Sequence, residues 1–270
     1  MSKPEKDETM EVRLTWEGSI GVLTIHNPSR KNAMSPPVSA DLLRHVTTLV
    51  HDRKCRAIVL TGSATCFSAG GDVKAMQGRV EEINDHITRR LRFTTLYHPM
   101  MRMLVEGPKP VVTAVEGVAY GGGLALAIAS DHTVAGNDAR FCAAQILRGT
   151  CPDMGLYYLL AARTGPGRAR EILLSGRVIS AVDAERYAVV HTLTNPGEAL
   201  AGAMKVAEHY AALPPLAVAL TKAAMTHGYQ SLEACFQSEN NYQPVVALSK
   251  DHKESIAAFL EKRKPVYTGE

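Results

Sequence analysis

The sequence predicts an α/β protein whose strands pair in parallel, followed by a helical C-terminal region. Short apolar, β-branched runs such as residues 57–60 alternate with helix-period segments through Asp131, an order typical of βαβ units. After about residue 197 only helical periodicity remains. We therefore predict a core in residues 1–197 and a helical region in residues 198–270.

The ends of several elements are also predicted. Residues 12–16 and 20–25 look like a hairpin, because a Glu-Gly-Ser turn separates them. Ser35 and Pro36 suit the start of a helix that runs to about His51. An Asp251-x-x-Glu254 pattern resembles a capping box for the last helix. The predicted C-terminal helices cover residues 199–213, 217–227, 232–248 and 253–264.

Composition narrows the class of protein. The chain has 270 residues, 46% of them hydrophobic, which is enough for a full core. Its net charge of +3 gives no reason to expect nucleic acid or an anionic membrane as a partner. Five cysteines without CxxC spacing indicate neither a disulfide framework nor a zinc site, so we predict a reducing, cytoplasmic location. Neither a secretory signal nor a membrane span is predicted.

The most informative stretch is residues 109–131, KPVVTAVEGVAYGGGLALAIASD. Its pattern predicts a strand, a tight turn and a helix. Gly121, Gly122 and Gly123 remove every side chain at the turn, so a ligand could approach the backbone and the free N–H groups of the helix. A buried turn packed against a sheet would select the same glycines, and turn chemistry alone leaves both interpretations open.

A second glycine turn favours the functional interpretation. Residues 57–60 are strand-like and lead into TGSATCFSAGGDVKAM, in which Gly70 and Gly71 precede a helical pattern. Two such turns could aim two backbone N–H groups at a single oxygen atom.

These motifs resemble the enoyl-CoA hydratase/isomerase (crotonase) superfamily. The resemblance rests on FSAGGD at residues 67–72 and KPVVTAVEGVAYGGG at residues 109–123, and it extends to HNPSRKNAM at residues 26–34. It implies a spiral of ββα repeats, C-terminal helices that support trimers or dimers of trimers, and a coenzyme A thioester substrate of fatty acid metabolism. It also implies an oxyanion hole formed by the N–H groups of Gly71 and Gly122.

The resemblance further implies a set of substrate-binding residues. Arg30 borders the expected coenzyme A nucleotide, and Lys262 lies where a neighbouring subunit usually completes that site. For a single residue, a role outside substrate binding is an alternative, since Arg30 could be a solvated charge and Tyr120 could pack within the turn. The substrate-binding candidates are Arg30, Ala69, Asp72, Tyr120, Gln145, Tyr157 and Lys262.

The expected catalytic groups differ from those of a hydratase. Hydratases of the family place two glutamates at positions that hold Ala125 and Gln145 here, and neither side chain titrates. Asp153 matches the aspartate of family isomerases that resemble 1,2-epoxyphenylacetyl-CoA isomerase. One carboxylate can move a double bond, because it can take a proton from one carbon and return it to another.

Asp153 also has a structural alternative. It follows Pro152 and precedes the apolar helical run of residues 156–162, so it could be a helix N-cap. Burial in an acyl pocket would instead raise the pKa of this carboxyl towards the range that a general base requires.

Three hypotheses remain at this point. The first is an acyl-CoA thioester isomerase that uses Gly71, Gly122 and Asp153. The second is a hydratase or lyase of the same fold with atypical groups, such as a water held by Gln145 and Asp153. The third is a non-catalytic thioester-binding protein. No cofactor is expected beyond the coenzyme A moiety of the substrate, and no metal site is expected, because backbone amides would stabilise the enolate.

Overall fold

The chain opens with the predicted hairpin. Strand β1 (Glu11–Glu17) pairs antiparallel with strand β2 (Ile20–His26), and Gly18 at the turn adopts a φ of +61°. These coordinates come from a computed structural model that describes residues 11–73, 83–228 and 230–270. The hairpin forms one edge of the main sheet.

The main sheet is parallel beyond this hairpin. Strand β3 (Ala57–Thr61) lies beside β2, followed by β4 (Val111–Val115), β6 (His132–Gly136) and β9 (Thr192–Thr194), in the order β1-β2-β3-β4-β6-β9. Every residue of β3 and β4 is buried, as expected for central parallel strands covered on both faces. The predicted parallel pairing is confirmed.

A second, three-stranded sheet corrects the prediction for residues 109–131. The chain does not pass directly from β4 to the glycine turn, because Gly117, at a φ of +63°, redirects it into strand β5 (Val118–Tyr120). Strand β5 pairs with β7 (Arg140–Cys142), which pairs with β8 (Ile179–Ser180). The strand is only three residues long, so its alternation is too short to separate it from the run before it.

Helices cover both faces of the main sheet. Helix α1 (Pro36–His51) begins as predicted, with the Ser35 Oγ accepting a hydrogen bond from the Val38 N–H. In the described part of the chain between β3 and β4, α2 (Ile83–Arg92), a π-helical segment (Phe93–Tyr97) and α3 (His98–Val105) follow one another. The helices from the glycine turn to β9 are α4 (Gly122–Ile128), α5 (Leu156–Thr164), α6 (Pro166–Ser175) and α7 (Ala181–Arg186).

The C-terminal region is helical, as predicted. Helix α8 (Ala199–Ala211) packs its buried alanines against the main sheet, and α9 (Pro215–His227), α10 (Leu232–Leu248) and α11 (Lys250–Leu260) follow. The proposed boundary at residue 197 stays a prediction.

The predicted start of the last helix is wrong. Ser249 is the N-cap of α11, because its Oγ accepts from the His252 N–H at 3.0 Å. The Asp251 carboxylate accepts instead from the Thr268 and Gly269 N–H groups, at 2.7 and 2.9 Å. These bonds hold the C-terminal tail, a long-range contact that local spacing does not reveal.

A buried lysine ties helix α9 to the start of β4. The Lys222 Nζ donates to the carbonyl oxygens of Leu104 and Lys109, at 2.8 and 3.0 Å, and to the Asp131 carboxylate at 2.6 Å. That carboxylate also accepts from the Val111 N–H. Burial lowers the pKa of Lys222, and the negative charge of Asp131 opposes the shift. The C-terminal helices are therefore anchored to the strand that leads to the glycine turns.

Candidate active site

The two glycine turns meet, as the sequence predicts. The Ser68 N–H donates to the Val118 carbonyl and the Tyr120 N–H donates to the Ser68 carbonyl, both at 3.0 Å. A Cβ atom added to Gly70 would lie 3.3 Å from the Gly122 nitrogen. The loop after β3 and the turn after β5 are thus joined by backbone hydrogen bonds immediately before Gly71 and Gly122.

The two N–H groups proposed for the oxyanion hole are available. Met34 donates to the Gly70 carbonyl at 2.7 Å and fixes the first turn, while Gly122 begins helix α4. Among the described residues no acceptor receives the N–H of Gly71 or of Gly122. Two free backbone donors on adjoining rigid turns suit an oxygen that gains negative charge.

Ser68 supports the first glycine turn and was not among the predicted site residues. Its Oγ donates to the Asn32 carbonyl at 2.8 Å and accepts from the Gly70 N–H at 3.2 Å. The side chain thereby links the loop after β2 to the first glycine turn. Its position inside the FSAGGD motif, next to Ala69, was the signal that could have identified it.

Asp153 lies beside the second turn and is paired with Gln145. The Gln145 Nε2 donates to the Asp153 Oδ1 at 3.1 Å. The same amide faces Gly121, since an added Cβ there would lie in van der Waals contact with its three terminal atoms, at 3.6 to 3.8 Å. A chain of contacts therefore runs from the glycine turn through Gln145 to the only carboxylate that the sequence analysis proposed as catalytic.

Burial raises the pKa of the Asp153 carboxyl. The hydrogen bond from Gln145 and the positive charge of His98 act in the opposite direction. Desolvation disfavours a carboxylate more strongly than one amide donor stabilises it, so the group is brought towards the range of a general base.

The helix-cap interpretation of Asp153 is wrong. Helix α5 begins at Leu156, and its N-cap residue is Gly155, whose φ is +76°. Asp153 contributes its backbone carbonyl to a turn with the Leu156 N–H, but its carboxyl is paired with Gln145. The side chain is therefore free of a capping role.

Met154 is a second residue that the sequence analysis missed. It adopts a left-handed φ of +53°, a conformation that costs a non-glycine residue free energy. Its Sδ would lie 3.1 Å from a Cβ added to Gly122, so this buried side chain covers the second turn. The strained backbone directs residue 153 and residue 154 onto the same site.

The other candidates occupy different surroundings. Arg30 forms an ion pair with Asp72, its Nη1 lying 3.2 Å from each carboxylate oxygen. The Ala69 N–H donates to the Lys31 carbonyl, which places Ala69 in the same loop junction. Burial raises the pKa of Tyr120, which is half-buried on β5.

Tyr157 and Lys262 are more exposed. The Tyr157 side chain is 53% exposed and contacts Cys151, and burial followed by this contact raises its pKa. Lys262 is exposed beyond the end of α11, and its contribution to the site stays a prediction, because the expected role belongs to a neighbouring subunit. Ala125 is fully buried within α4 and carries no titratable group.

Comparison with known proteins identifies the family. The model of the family described as enoyl-CoA hydratase/isomerase matches residues 15–270. This chain belongs to the enoyl-CoA hydratase/isomerase family. The resemblance and the crotonase fold inferred from the motifs are confirmed.

Named relatives within the enoyl-CoA hydratase/isomerase family include both hydratases and an isomerase. A probable enoyl-CoA hydratase, EchA12, of Mycobacterium tuberculosis is 37% identical over 256 residues, covering 92% of this chain and 89% of the relative. The 1,2-epoxyphenylacetyl-CoA isomerase of Escherichia coli is 30% identical over 254 residues, covering 94% and 96%. A putative enoyl-CoA hydratase of Streptomyces coelicolor has a crystal structure with a TM-score of 0.89 at 32% identity, covering 100% of this chain and 98% of that one.

Two kinds of feature are absent from the part of the chain that the structure describes. No helix in it is both long and apolar enough to span a membrane. Within the same residues no three His, Cys, Asp or Glu side chains are grouped as a metal site requires.

Proposed function

We propose that this chain is an acyl-CoA thioester isomerase that shifts a carbon–carbon double bond. One observation carries the proposal: the half-buried Asp153 side chain accepts a hydrogen bond from a Gln145 amide that faces Gly121, the residue before Gly122. The Asp153 carboxyl thus lies beside the second glycine turn, which would supply one of the oxyanion donors. The second carboxylate that hydration would employ is missing, because Ala125 and Gln145 hold the two positions.

The reaction follows from this arrangement. The thioester oxygen accepts hydrogen bonds from the N–H groups of Gly71 and Gly122, which stabilise the charge of an enolate. The Asp153 carboxylate removes a proton from C2 of a 3-enoyl thioester, and the C–H electrons enter the conjugated dienolate. The protonated Asp153 then returns that proton to C4, so the double bond moves from C3–C4 to C2–C3 without net oxidation.

The remaining parts of the proposal concern binding and assembly. Arg30 would contact a phosphate of coenzyme A after exchanging its Asp72 partner for the ligand, and Lys262 of a neighbouring subunit would complete the site. We propose a homotrimer or a dimer of trimers, with no cofactor beyond the coenzyme A moiety of the substrate. Five unpaired cysteines support a cytoplasmic location, and the charge balance gives no reason for a nucleic acid or membrane partner.

A hydratase or lyase is the second candidate. The observation that favours it is the name of the Mycobacterium tuberculosis relative, a probable enoyl-CoA hydratase at 37% identity. In that reaction Gln145 and Asp153 would hold the water that adds to a 2-enoyl thioester.

The decisive experiment compares turnover of matched 3-enoyl-CoA and 2-enoyl-CoA thioesters by the wild-type protein and by Asp153→Asn. We expect isomerisation of the first substrate to fall by about 10²-fold or more in the variant, because a positioned acid/base group contributes that much. Hydration of the second substrate should be negligible in both proteins. Asp138→Asn, on the exposed loop after β6, is the matched control and should retain full activity.

Two results would contradict the isomerase. Hydration that persists in Asp153→Asn would show that the reaction does not require the Asp153 carboxylate, and it would favour the second candidate. Thioester binding without turnover of either substrate would favour a non-catalytic binding protein.

A further inference from the structure

Gln145 has one polar atom that its surroundings leave unsatisfied. The Nε2 donates to Asp153, but the Oε1 is buried and receives no hydrogen bond from the described residues. A buried acceptor without a donor is costly, and such an atom in a native structure calls for an explanation.

The backbone of Gln145 is held in place, whereas its amide can turn. The Gln145 carbonyl accepts from the Arg148 N–H at 2.9 Å, the Thr150 N–H at 3.1 Å and the Thr150 Oγ1 at 3.2 Å. Rotation about the terminal Cγ–Cδ bond is soft and roughly two-fold, because it joins an sp³ to an sp² carbon. A half-turn exchanges Oε1 and Nε2 on Asp153 without displacing any of these backbone contacts.

Asp153, the partner of this amide, changes its hydrogen-bonding capacity during the proposed reaction. The Asp153 carboxylate is an acceptor only, whereas the protonated acid carries an O–H donor. The first form matches Nε2 of Gln145 and the second matches Oε1. One residue therefore offers a complementary atom to both forms of the base.

We propose that Gln145 is a positioning residue that turns its amide as Asp153 gains and loses the proton, donating through Nε2 to the carboxylate and accepting through Oε1 from the acid. This inference rests on the proposed function for its catalytic consequence. A hydrogen bond to Asp153 is therefore available in both protonation states, and it keeps the carboxyl aimed at the substrate while the proton passes from one carbon to the other.

Other groups that face Asp153 come from two segments. His98, at the start of α3, lowers the pKa of Asp153 through its charge, and the negative charge of Asp153 raises the pKa of Tyr157. Cys151, on the same loop as Asp153, contacts Tyr157 at the start of α5. Variants of His98 and Cys151 therefore serve as controls.

The first measurement is a pH titration by NMR of the full-length protein, with ¹³C-labelled aspartate and ¹⁵N-labelled glutamine side chains. We expect the Gln145 amide signals to shift with the same midpoint as the Asp153 carboxyl, because one N–H of the Gln145 amide loses its acceptor when Asp153 is protonated. His98→Gln and Cys151→Ser should keep this shared midpoint within each variant. Amide signals that stay constant while Asp153 titrates would overturn the proposal.

The second measurement uses Gln145→Met, which keeps the length of the side chain and removes both amide atoms. We expect kcat for isomerisation to fall about tenfold or more with little change in KM, because the base loses its alignment and not its substrate. Circular dichroism and thermal unfolding establish that the variant is folded. An unchanged kcat in a folded variant would contradict the positioning role.

The two proposals can fail separately. If the Gln145 amide follows the titration of Asp153 but no enoyl thioester is isomerised, the coupled pair is supported and the isomerase is not. If isomerisation occurs and the amide signals stay constant, the isomerase is supported and the turning amide is not.

Discussion

Asp153 combines burial with the need to carry charge. Its environment stabilises the neutral carboxyl over the carboxylate, and its one amide donor offsets only part of that preference. A carboxylate whose charged form is destabilised by the fold is typical of a functional site, where activity often lowers the stability of the protein. Substitution of Asp153 should therefore have opposite effects on activity and on stability.

Asp153→Asn should raise the free energy of unfolding at pH 7 by about 0.5–2 kcal/mol, while it lowers the rate of isomerisation by about 10²-fold or more. The pKa of Asp153 is higher in the folded protein than in the unfolded chain. The contribution of the carboxyl to the stability of the wild-type protein is therefore complete below the pKa of the unfolded chain, and it is lost as the pH rises through the pKa of the folded protein. The difference between variant and wild type should therefore vanish below about pH 4.

Chemical denaturation of both proteins between pH 3.5 and 8 measures this difference. The Asp138→Asn control should show no comparable gain at neutral pH, because its side chain is exposed. A variant that is less stable than wild type at pH 7 would show that the Asp153 carboxylate supports the fold.

The two glycine turns form the element on which the oxyanion hole depends. A Cβ added to Gly123 would collide with the Ser68 carbonyl and lie 2.9 Å from the Ser68 Cβ. A Cβ added to Gly70 would lie 2.5 Å from the Tyr120 carbonyl oxygen. The contact between the turns is backbone against backbone, so no side-chain movement can relieve a larger residue.

Gly123→Ala should destabilise the protein by about 1–3 kcal/mol, the usual cost of overpacking, and displace the neighbouring Gly122 N–H. Loss of that donor should lower kcat for isomerisation by about 10²-fold. Gly167→Ala is the matched control, because an added Cβ there meets nothing within 4 Å.

The control lies in helix α6, where alanine should be neutral or slightly stabilising. Thermal unfolding and isomerase kinetics of both variants make the comparison. Equal stability and activity of the two proteins would disprove the tight contact between the turns.

The C-terminal helices expose apolar side chains. Leu248 and Phe259 are 79% and 82% exposed, and a cavity of about 500 Å³ lies between α9 and α10. Exposed apolar surface supports an interaction site, and Met225 and Leu232 of this region line the cavity. Further exposed apolar residues of this region are Met225, Leu232, Phe236, Val245, Ile256 and Leu260.

We expect light scattering of the purified protein to give the mass of three or six chains. The double variant Leu248→Ser with Phe259→Ser should shift the population towards monomers, because it removes apolar area from the proposed interface. Val182→Ser is the control, since Val182 is also exposed, at 60%, but lies on α7. A monomeric wild-type protein would refute the proposed assembly.

Local sequence patterns were enough to predict the class of fold, most helix positions and the two glycine turns. Hydrophobic periodicity and glycine placement are local properties, so β3, β4, α1 and α10 were predictable from neighbouring residues. The motifs around Gly71 and Gly122 also indicated the family, which the match over residues 15–270 confirmed.

The pairing of groups that are distant in the sequence became visible only in the folded chain. The short strand β5 is formed by its partners in a second sheet, and Asp251 binds a tail that is 17 residues away. Asp153 could be either a cap or a free carboxyl by sequence, and the choice depended on Gln145, Gly121 and the start of α5. A carboxyl's role follows from its desolvation and its partners, and both are properties of the folded chain.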